Sequence, residues 1–169
     1  TGTITEGEFE IVSIIVQKGT KEELLNIASM VESFSNHPIA KSICKGNLIE
    51  VDTKNSLIEE ISGDGLKMEH DGDIYLVGND KLMIEYSIEY VCNEEVGTAV
   101  YVAKNNEFLG SIIVRDKIKD SSKNVIEKLH DQNIDTLMLT GDKKMFGEFV
   151  AKEVGIKDVK SELLPQEKY

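Results

Sequence analysis

The chain has 169 residues, 40% of them hydrophobic, which is enough for one large domain, or for a small domain and part of a second, with a buried core. Its formal net charge of −12 argues against nucleic acid as a partner, because phosphate-backbone binding needs clustered lysines and arginines. No stretch approaches the roughly 20 apolar residues that span a bilayer, and no signal segment opens the chain. We expect a soluble polypeptide that does not itself insert into a membrane.

The two cysteines, Cys44 and Cys92, are far apart and have no Cys or His partner at metal-ligand spacing. Buried, reduced thiols are therefore expected, rather than a disulfide or a metal site. A reducing, cytoplasmic compartment fits this expectation.

The first part of the chain predicts a loop, a strand and two helices. Residues 1–5 contain three threonines and a glycine beside Ile4, and hydroxyl residues and glycine are common in ordinary turns and also suit a phosphate-handling loop. Residues 9–16 are β-branched and partly alternating, which predicts a strand. Thr20 is a plausible N-cap of a helix that ends near residues 34–36, and Pro38 suits the first turn of a second helix that reaches Cys44.

The middle of the chain predicts an antiparallel sheet with helices. Strands are expected at residues 56–61, 66–70, 74–77, 99–104 and 108–114, and a short helix at residues 81–85. Asn105-Asn106 is a hairpin signal between the last two strands.

From Asp116 the pattern becomes that of a parallel α/β domain, with a helix at residues 121–129, an apolar strand at 136–140 and a helix at 146–154. The predicted fold class is therefore α+β. An antiparallel sheet with helices is inserted, between Thr5 and Asp116, into an incomplete α/β domain.

Four short segments carry residue types suited to chemistry. Thr140-Gly141-Asp142 follows the apolar strand, where ligands of open α/β sheets sit, and could bind phosphate and Mg²⁺ or be a plain loop. The Gly63-Asp64-Gly65 and Gly78-Asn79 turns are either hairpin turns or places where a nucleotide lies against backbone. His37 before Pro38 could stack on an adenine base or simply cap a helix.

Taken together, these residues resemble the catalytic loop of heavy-metal-transporting P-type ATPases. Residues 1–5 look like the tail of the phosphorylation motif Asp-Lys-Thr-Gly-Thr, and Glu32 with residues 35–38 resembles the Glu and Ser-Glu-His-Pro nucleotide element. Gly63-Asp64-Gly65 resembles the Gly-x-Gly turn of that class. Gly78-Asn79 resembles the adenine-side loop of that class, and Asp116 resembles its hinge aspartate. Residues 139–142 and 164–168 resemble two motifs of its phosphorylation domain.

The resemblance implies specific roles. The residues implied to bind adenosine are Glu32, His37, Gly63, Gly65, Gly78 and Asn79, and Asp116 is a further cofactor-binding residue. The residues implied to surround the transferred phosphoryl group are Thr1, Thr3, Thr140, Asp142 and Lys168. The implied cofactors are ATP and Mg²⁺, and the implied reaction is phosphoryl transfer to an aspartate, coupled to export of Zn²⁺, Cd²⁺ or Cu⁺.

The resemblance also implies a domain organisation. Residues 1–7 and 115–169 would belong to the haloacid-dehalogenase-like phosphorylation domain, and residues 8–114 to the nucleotide-binding domain. The partners would be ATP and the transmembrane and actuator domains of a parent transporter, placing the chain in the cytoplasmic part of a cell-membrane protein.

Some features depart from that pattern. Lys119 and Asp120 replace an arginine-proline pair after the hinge aspartate, so Lys119 replaces a bidentate contact only in part. The aspartate that accepts the phosphate would precede Thr1, and turnover is therefore not expected of this polypeptide alone. Two alternatives stay open: a phosphatase of the haloacid dehalogenase type, and a non-catalytic nucleotide-binding module.

Overall fold

The computed structural model describes residues 2–45 and 56–168. For Pro165 and Lys168 it describes the backbone only. The elements are β1 (Thr5–Val16), α1 (Lys21–Glu32), α2 (Pro38–Cys44), β2 (Ser56–Ile61), β3 (Gly65–His70), β4 (Asp73–Gly78), α3 (Asp80–Glu85), β5 (Thr98–Lys104), β6 (Glu107–Ile118), α4 (Asp120–Asp131), β7 (Leu137–Leu139), α5 (Lys144–Val154), β8 (Asp158–Lys160) and a 3-10 helix (Pro165–Lys168). The predicted α+β class with an antiparallel sheet is confirmed.

The chain divides into two compact units. The insert unit is residues 9–115, and the flanking unit is residues 2–8 with residues 116–168. Strands β1 and β6 each contribute residues to both units.

The insert unit is built on a sheet with the strand order β1-β6-β5-β4-β3-β2. The pairs β2–β3, β3–β4, β4–β5 and β5–β6 are antiparallel. Asn105 and Asn106 form the predicted turn between β5 and β6, and both take positive φ values, which asparagine tolerates better than most residues.

Helices cover both faces of this sheet, because strand side chains alternate between faces. On β4, Tyr75 and Val77 point into a cluster formed with α1 and α2, whereas Leu76 points into a second cluster with Leu82 and Met83 of α3. This explains why β4 is apolar over consecutive residues instead of alternating. The ends of α1, α2 and α3 are thereby fixed beside the strand ends.

Helix α1 begins as predicted. The Thr20 hydroxyl accepts from the Glu23 backbone N–H at 3.1 Å, and the Glu23 carboxylate accepts from the Thr20 N–H at 2.9 Å. These reciprocal bonds form a capping box, which typically contributes about 1 kcal/mol to helix stability.

The flanking unit contains a β7–α5–β8 segment in which the two strands pair in parallel. Met138 of β7 and Val150 of α5 share an apolar cluster against which Ile4 and Ile118 pack. The loops next to Ile4 and Met138 are therefore held by one core. Gly155 ends α5 with φ +86°, a left-handed conformation that glycine adopts without Cβ strain.

Two strands differ from the sequence predictions. Strand β1 begins at Thr5 and not at residue 9, because pairing in the sheet overrides the weak strand propensity of Glu6-Gly7-Glu8. Strand β8 is not predicted at all, since its three residues are too few to show alternation.

The expectation of two buried thiols is wrong for Cys92, which is exposed; Cys44 is partly buried and donates weakly to the Ser29 carbonyl at 3.5 Å. Both are free thiols. Cys92 follows Tyr90, whose ring packs edge-on against Tyr101 with the centroids 5.0 Å apart. Cys92 lies in a segment without regular secondary structure, so no helix or strand turns its side chain into a core.

Among the described residues, none of the helices is both long and apolar enough to cross a bilayer.

Candidate functional site

A cavity of about 380 Å³ lies within the insert unit, between the ends of α1, α2 and the edges of strands β2 to β5. This volume is in the range of small-molecule sites. It is lined by all six residues predicted to bind adenosine: Glu32, His37, Gly63, Gly65, Gly78 and Asn79. The fold thus brings together residues from four separate segments of the chain.

Glu32 is the last residue of α1 and contributes a buried carboxyl group, 9% exposed, to the cavity. Its side chain makes no hydrogen bond or ion pair with any residue that the structure describes. Burial disfavours the charged form and raises the pKa of Glu32 to about 7. The pKa of the Cys44 thiol is also raised, mainly because the thiol is buried and secondly because the Glu32 carboxylate is near it. Glu32 is therefore a hydrogen-bonding group without a protein partner that faces a cavity.

His37 caps a helix, which is one of the two roles that the sequence left as alternatives. Its Nδ1 accepts from the Ile39 N–H at 3.2 Å, so the imidazole is the N-cap of α2. The Ser35 hydroxyl accepts from the His37 N–H at 3.1 Å and fixes the turn. Because Nδ1 is an acceptor, the neutral ring carries its proton on Nε2. The ring remains exposed, lines the cavity and can still donate to a ligand.

Gly65 and Gly78 are directly opposite each other on β3 and β4. A Cβ on Gly78 would lie 2.1 Å from the Asp64 carbonyl oxygen and 2.8 Å from the Gly65 Cα. These two glycines are thus required by the close approach of the two strands. Gly63 differs, since its φ of +83° favours glycine but nothing lies within 4 Å of its Cβ position. Among the three, Gly63 is the one that leaves open space in front of its backbone.

Asn79 holds the Gly63-Asp64-Gly65 turn in place. Its Nδ2 donates to the Gly63 carbonyl at 2.9 Å and to the Asp64 carboxylate at 3.1 Å. Its Oδ1 accepts from the Leu82 N–H and so caps α3. Its backbone N–H donates to the Asp64 carbonyl at 2.8 Å. With its amide engaged on both sides, Asn79 positions the turn.

The cavity also contains polar side chains that were not predicted as site residues, namely Ser35, Glu60, Asp64 and Thr98. Ser35 and Asp64 lie inside motifs whose other members are predicted site residues. Glu60 and Thr98 come from the end of β2 and the start of β5, and no local pattern marks them. Only the pairing of the strands places them at this cavity.

In the flanking unit, Thr140 and Asp142 bond to each other. The buried Thr140 hydroxyl donates to the Asp142 carboxylate at 2.6 Å and accepts from the Asp142 N–H at 3.1 Å. The Thr140 N–H donates to the Lys160 carbonyl, and the Thr140 carbonyl accepts from the Leu163 N–H. The turn at the end of β7 is therefore fixed by its own hydrogen bonds.

Asp116 is not part of the cavity; it lies in the flanking unit and fixes the start of β1. One carboxylate oxygen accepts from the Thr5 hydroxyl at 2.7 Å, and the other accepts from the Gly7 N–H at 2.9 Å. The Thr5 hydroxyl in turn accepts from the Gly2 N–H at 3.1 Å. The predicted role of Asp116 in cofactor binding stays a prediction, whereas its contacts with β1 are direct.

Lys119 is bonded to the same opening loop. Its Nζ donates to the carbonyls of Gly2 and Thr3, at 2.7 and 3.1 Å. Thr3 is exposed at this loop. Two other predicted site residues cannot be placed, since Thr1 and the side chain of Lys168 lie outside the described part of the chain.

The oxygen donors of the flanking unit fit one way of binding magnesium. The described residues contain no cluster of three or more His, Cys, Asp or Glu that could hold a metal ion. Mg²⁺ is commonly held by one or two carboxylates together with substrate phosphates. Asp142 fits that arrangement, in which the ion arrives with a phosphate ligand.

Comparison with known proteins gives the family. A family model described as haloacid dehalogenase-like hydrolase matches residues 1–168. The chain therefore belongs to the haloacid dehalogenase-like hydrolases.

Within this class, the similarity is to metal-transporting ATPases. The chain is 44% identical over 172 residues to the cadmium, zinc and cobalt-transporting ATPase of Bacillus subtilis (strain 168), covering 99% of this chain and 24% of that protein. It thus spans about a quarter of the length of this relative. The resemblance to heavy-metal-transporting P-type ATPases predicted from the sequence is confirmed.

Two solved structures have the same fold. A zinc-transporting PIB-type ATPase in the E2.Pi state matches with a TM-score of 0.77 and 26% identity, over 99% of this chain and 29% of that chain. The catalytic domain of the CPx-ATPase CopB-B, solved for its conformational changes upon nucleotide binding, matches with a TM-score of 0.76 and 27% identity, over 99% and 62% of the respective chains.

Proposed function

We propose that this chain is the ATP-binding catalytic region of a P-type ATPase on the cytoplasmic side of a cell membrane, where ATP hydrolysis through an aspartyl-phosphate drives heavy-metal export. The supporting observation is the cavity of the insert unit, because six residues chosen by motif converge on it. In the parent protein, the partners of this chain are the transmembrane and actuator domains.

The insert unit is proposed to be the nucleotide-binding domain predicted for residues 8–114. Adenine offers an N–H donor at its amino group and an acceptor at the adjacent ring nitrogen. A carboxyl group with a pKa of about 7 can accept from the first and, when protonated, donate to the second. Glu32 is then the base-recognition group, His37 stacks on the ring, and Gly63 permits close approach of the ligand to backbone.

The flanking unit is proposed to be the part of the phosphorylation domain predicted for residues 1–7 and 115–169. Its residues in contact with the transferred phosphoryl group are Thr1, Thr3, Thr140, Asp142 and Lys168. A bound Mg²⁺ supplies charge neutralisation for phosphoryl transfer. Thr140 orients the Asp142 carboxylate by its 2.6 Å hydrogen bond and so holds the metal-binding oxygen ligand in position.

For the exported cation, we propose the zinc and cadmium group, since the Bacillus subtilis relative is named for cadmium, zinc and cobalt, and one structural neighbour is named for zinc. Copper export is the alternative within the same class. Uptake of radioactive or stable isotopes into vesicles that contain the parent protein separates the two.

The test of nucleotide binding is titration calorimetry with ATP on His37→Asn. Asparagine is a good N-cap, so this change keeps an acceptor for the Ile39 N–H while removing the ring. Loss of one stacking contact, worth about 1–3 kcal/mol, should weaken ATP binding roughly tenfold or more. His70→Asn, a histidine of the same unit that does not line the cavity, should bind like the wild type.

Unchanged ATP affinity in His37→Asn would leave His37 as a helix cap only. Failure of the wild-type chain to bind ATP, ADP or adenosine at millimolar concentration would contradict the proposed function itself.

A further inference from the structure

Gly147 lies inside helix α5, where glycine is an unfavourable residue. Its φ is not positive, so the conformation of the helix does not require glycine at this position. The surrounding atoms do require it, because a Cβ on Gly147 would lie 2.4 Å from the Ser161 Oγ and 3.1 Å from the Thr140 Cγ2. The absence of a side chain at Gly147 therefore lets two side chains from outside the helix approach it closely.

The Ser161 hydroxyl is one of these two groups, and it lies just after strand β8. Its Oγ is buried and has no hydrogen-bond partner among the described residues. Because a buried hydroxyl without a partner is unfavourable, hydrogen bonding does not explain its position. The close approach to Gly147 does explain it. The hydroxyl thus acts as a small packing group between α5 and the end of β8.

Residues 160–163, which we call the clasp, wrap around the turn that follows β7. Two backbone hydrogen bonds join the clasp to Thr140, and a third runs from the Glu162 N–H to the Asp142 carbonyl at 3.0 Å. Glu162 has a φ of +60°, a left-handed conformation that is unfavourable for residues other than glycine. The clasp therefore keeps a strained conformation while it is bonded to the turn.

We propose that the packing of Ser161 against Gly147 positions Thr140 for phosphoryl transfer. This inference rests on the proposed function, because Thr140 and Asp142 belong to the proposed phosphoryl site. The Thr140 methyl group faces Gly147, and the Thr140 hydroxyl is thereby turned towards the Asp142 carboxylate, to which it donates at 2.6 Å. Ser161 and Gly147 are positioning residues, since they act on the site through Thr140.

The experiment is a double-mutant cycle on the full 169-residue chain. Gly147→Ala introduces the Cβ that overlaps the Ser161 Oγ, and Ser161→Ala removes that oxygen. In the double variant, the nearest atom of residue 161 is its Cβ, 3.5 Å from the new methyl group. Gly155→Ala is the matched control, because its Cβ meets nothing within 4 Å and only its φ of +86° is strained.

Amide hydrogen exchange at Asp142 measures the position of Thr140, because the Asp142 N–H donates to the Thr140 Oγ1 at 3.1 Å. We expect Gly147→Ala to lower protection at Asp142 about fivefold, which corresponds to the loss of one hydrogen bond. Ser161→Ala should lower it less, because it leaves a gap instead of an overlap. The double variant should return to within about a factor of two of the wild type, since the methyl group at position 147 fills that gap.

The control variant separates this effect from a general loss of stability. Gly155→Ala should lower protection at Asp142 no more than protection of the α5 amides, and Ser161→Ala should not rescue it. If Gly147→Ala does not fold, folding of the double variant is the same rescue. Failure of the double variant to fold would then overturn the proposal.

The same variants test the role of the contact in the parent protein. The Mg²⁺ concentration that gives half-maximal formation of the aspartyl-phosphate should rise about fivefold in Gly147→Ala and return towards the wild-type value in the double variant. ATP affinity should stay the same in all variants, because the nucleotide cavity lies in the insert unit.

Two results would overturn the proposal. Unchanged protection at Asp142 in Gly147→Ala would mean that the Ser161 hydroxyl turns away without moving Thr140. Protection in the double variant as low as in Gly147→Ala would mean that the two residues are not coupled.

Failure of the proposed function gives a different result. If the wild-type parent protein forms no aspartyl-phosphate, the proposed function is wrong and the role of the contact in phosphoryl transfer falls with it. If the wild type forms it and all variants require the same Mg²⁺ concentration, the proposed function stands and only the positioning role is lost.

Discussion

The insert unit and the flanking unit treat their polar groups in opposite ways. In the cavity of the insert unit, the buried Glu32 carboxyl has no partner among the described residues. In the flanking unit, the buried Thr140 hydroxyl bonds to Asp142, and both oxygens of Asp116 are engaged with β1. The cavity therefore has a buried hydrogen-bonding group available, whereas the buried Thr140 and Asp116 side chains are already bonded within the flanking unit.

This difference predicts different consequences of substitution. A buried polar group without a partner costs free energy in the folded state, so its removal can stabilise the fold while harming binding. A buried group with several partners stabilises the fold, and its removal leaves those partners unsatisfied. Stability measurements should therefore separate the two units even before a ligand is added.

The largest expected effect tests whether the cavity depends on backbone packing. In Gly78→Ala the new Cβ would lie 2.1 Å from the Asp64 carbonyl oxygen, so the two strands must separate. Such overpacking against backbone should cost more than about 3 kcal/mol in the free energy of unfolding of the insert unit.

Gly63→Ala is the matched control, because its Cβ meets nothing within 4 Å and only its positive φ is strained. That strain should cost about 1 kcal/mol. Urea unfolding followed by circular dichroism measures both. Equal losses for the two variants would show that the close approach of Gly65 and Gly78 is not what requires glycine.

The second prediction concerns the pH dependence that Glu32 gives to the insert unit. The folded pKa of about 7 lies above the ordinary value of 4.5, so the unfolded chain releases this proton first as pH rises. Because of Glu32, the free energy of unfolding therefore declines between about pH 4.5 and 7. Above about pH 7 this decline has reached its full size. Its upper limit is about 3 kcal/mol for a shift of this size.

Glu32→Gln should remove this component, so that at pH 8 the variant is more stable than the wild type by as much as about 3 kcal/mol, with a smaller difference at pH 4.5. Thermal unfolding across this pH range measures the difference. The same variant should bind ATP more weakly, which sharpens the contrast with the flanking unit. A variant less stable than the wild type at pH 8 would mean that Glu32 is satisfied in the fold.

The elements that the sequence predicted correctly are those with strong local signals. Helix α1 has its capping box at Thr20 and Glu23, and the turn at Asn105 and Asn106 has the residues that a positive φ favours. The three-residue strand β8 has no such signal, because it exists only through its parallel pairing with β7. Local chemistry thus predicts elements, while pairing between distant segments decides the short ones.

The same limit applies to the site. Motif reasoning found Glu32, His37 and the glycine turns because each lies in a short, characteristic segment. It could not find Glu60 or Thr98, whose position at the cavity depends on strand order. Nor could it show that His37 caps α2 through Nδ1 while its ring stays exposed at the cavity.

The last and smallest effect tests the flanking side of the comparison at Asp116. Asp116→Ala removes the carboxylate that accepts from the Thr5 hydroxyl and the Gly7 N–H, and so leaves these two donors without that acceptor at a buried position. We expect the flanking unit to lose about 2 kcal/mol of stability. Asp131→Ala, which removes an exposed aspartate at the end of α4, should change it by less than about 0.5 kcal/mol. Amide hydrogen exchange locates the change: protection at Gly7 should fall in Asp116→Ala while the insert unit around Leu76 keeps its protection. If both variants lose the same stability, or if Gly7 stays protected, Asp116 does not fix the start of β1. The internal hydrogen bonds that stabilise the flanking unit would then be those of the Thr140 turn alone.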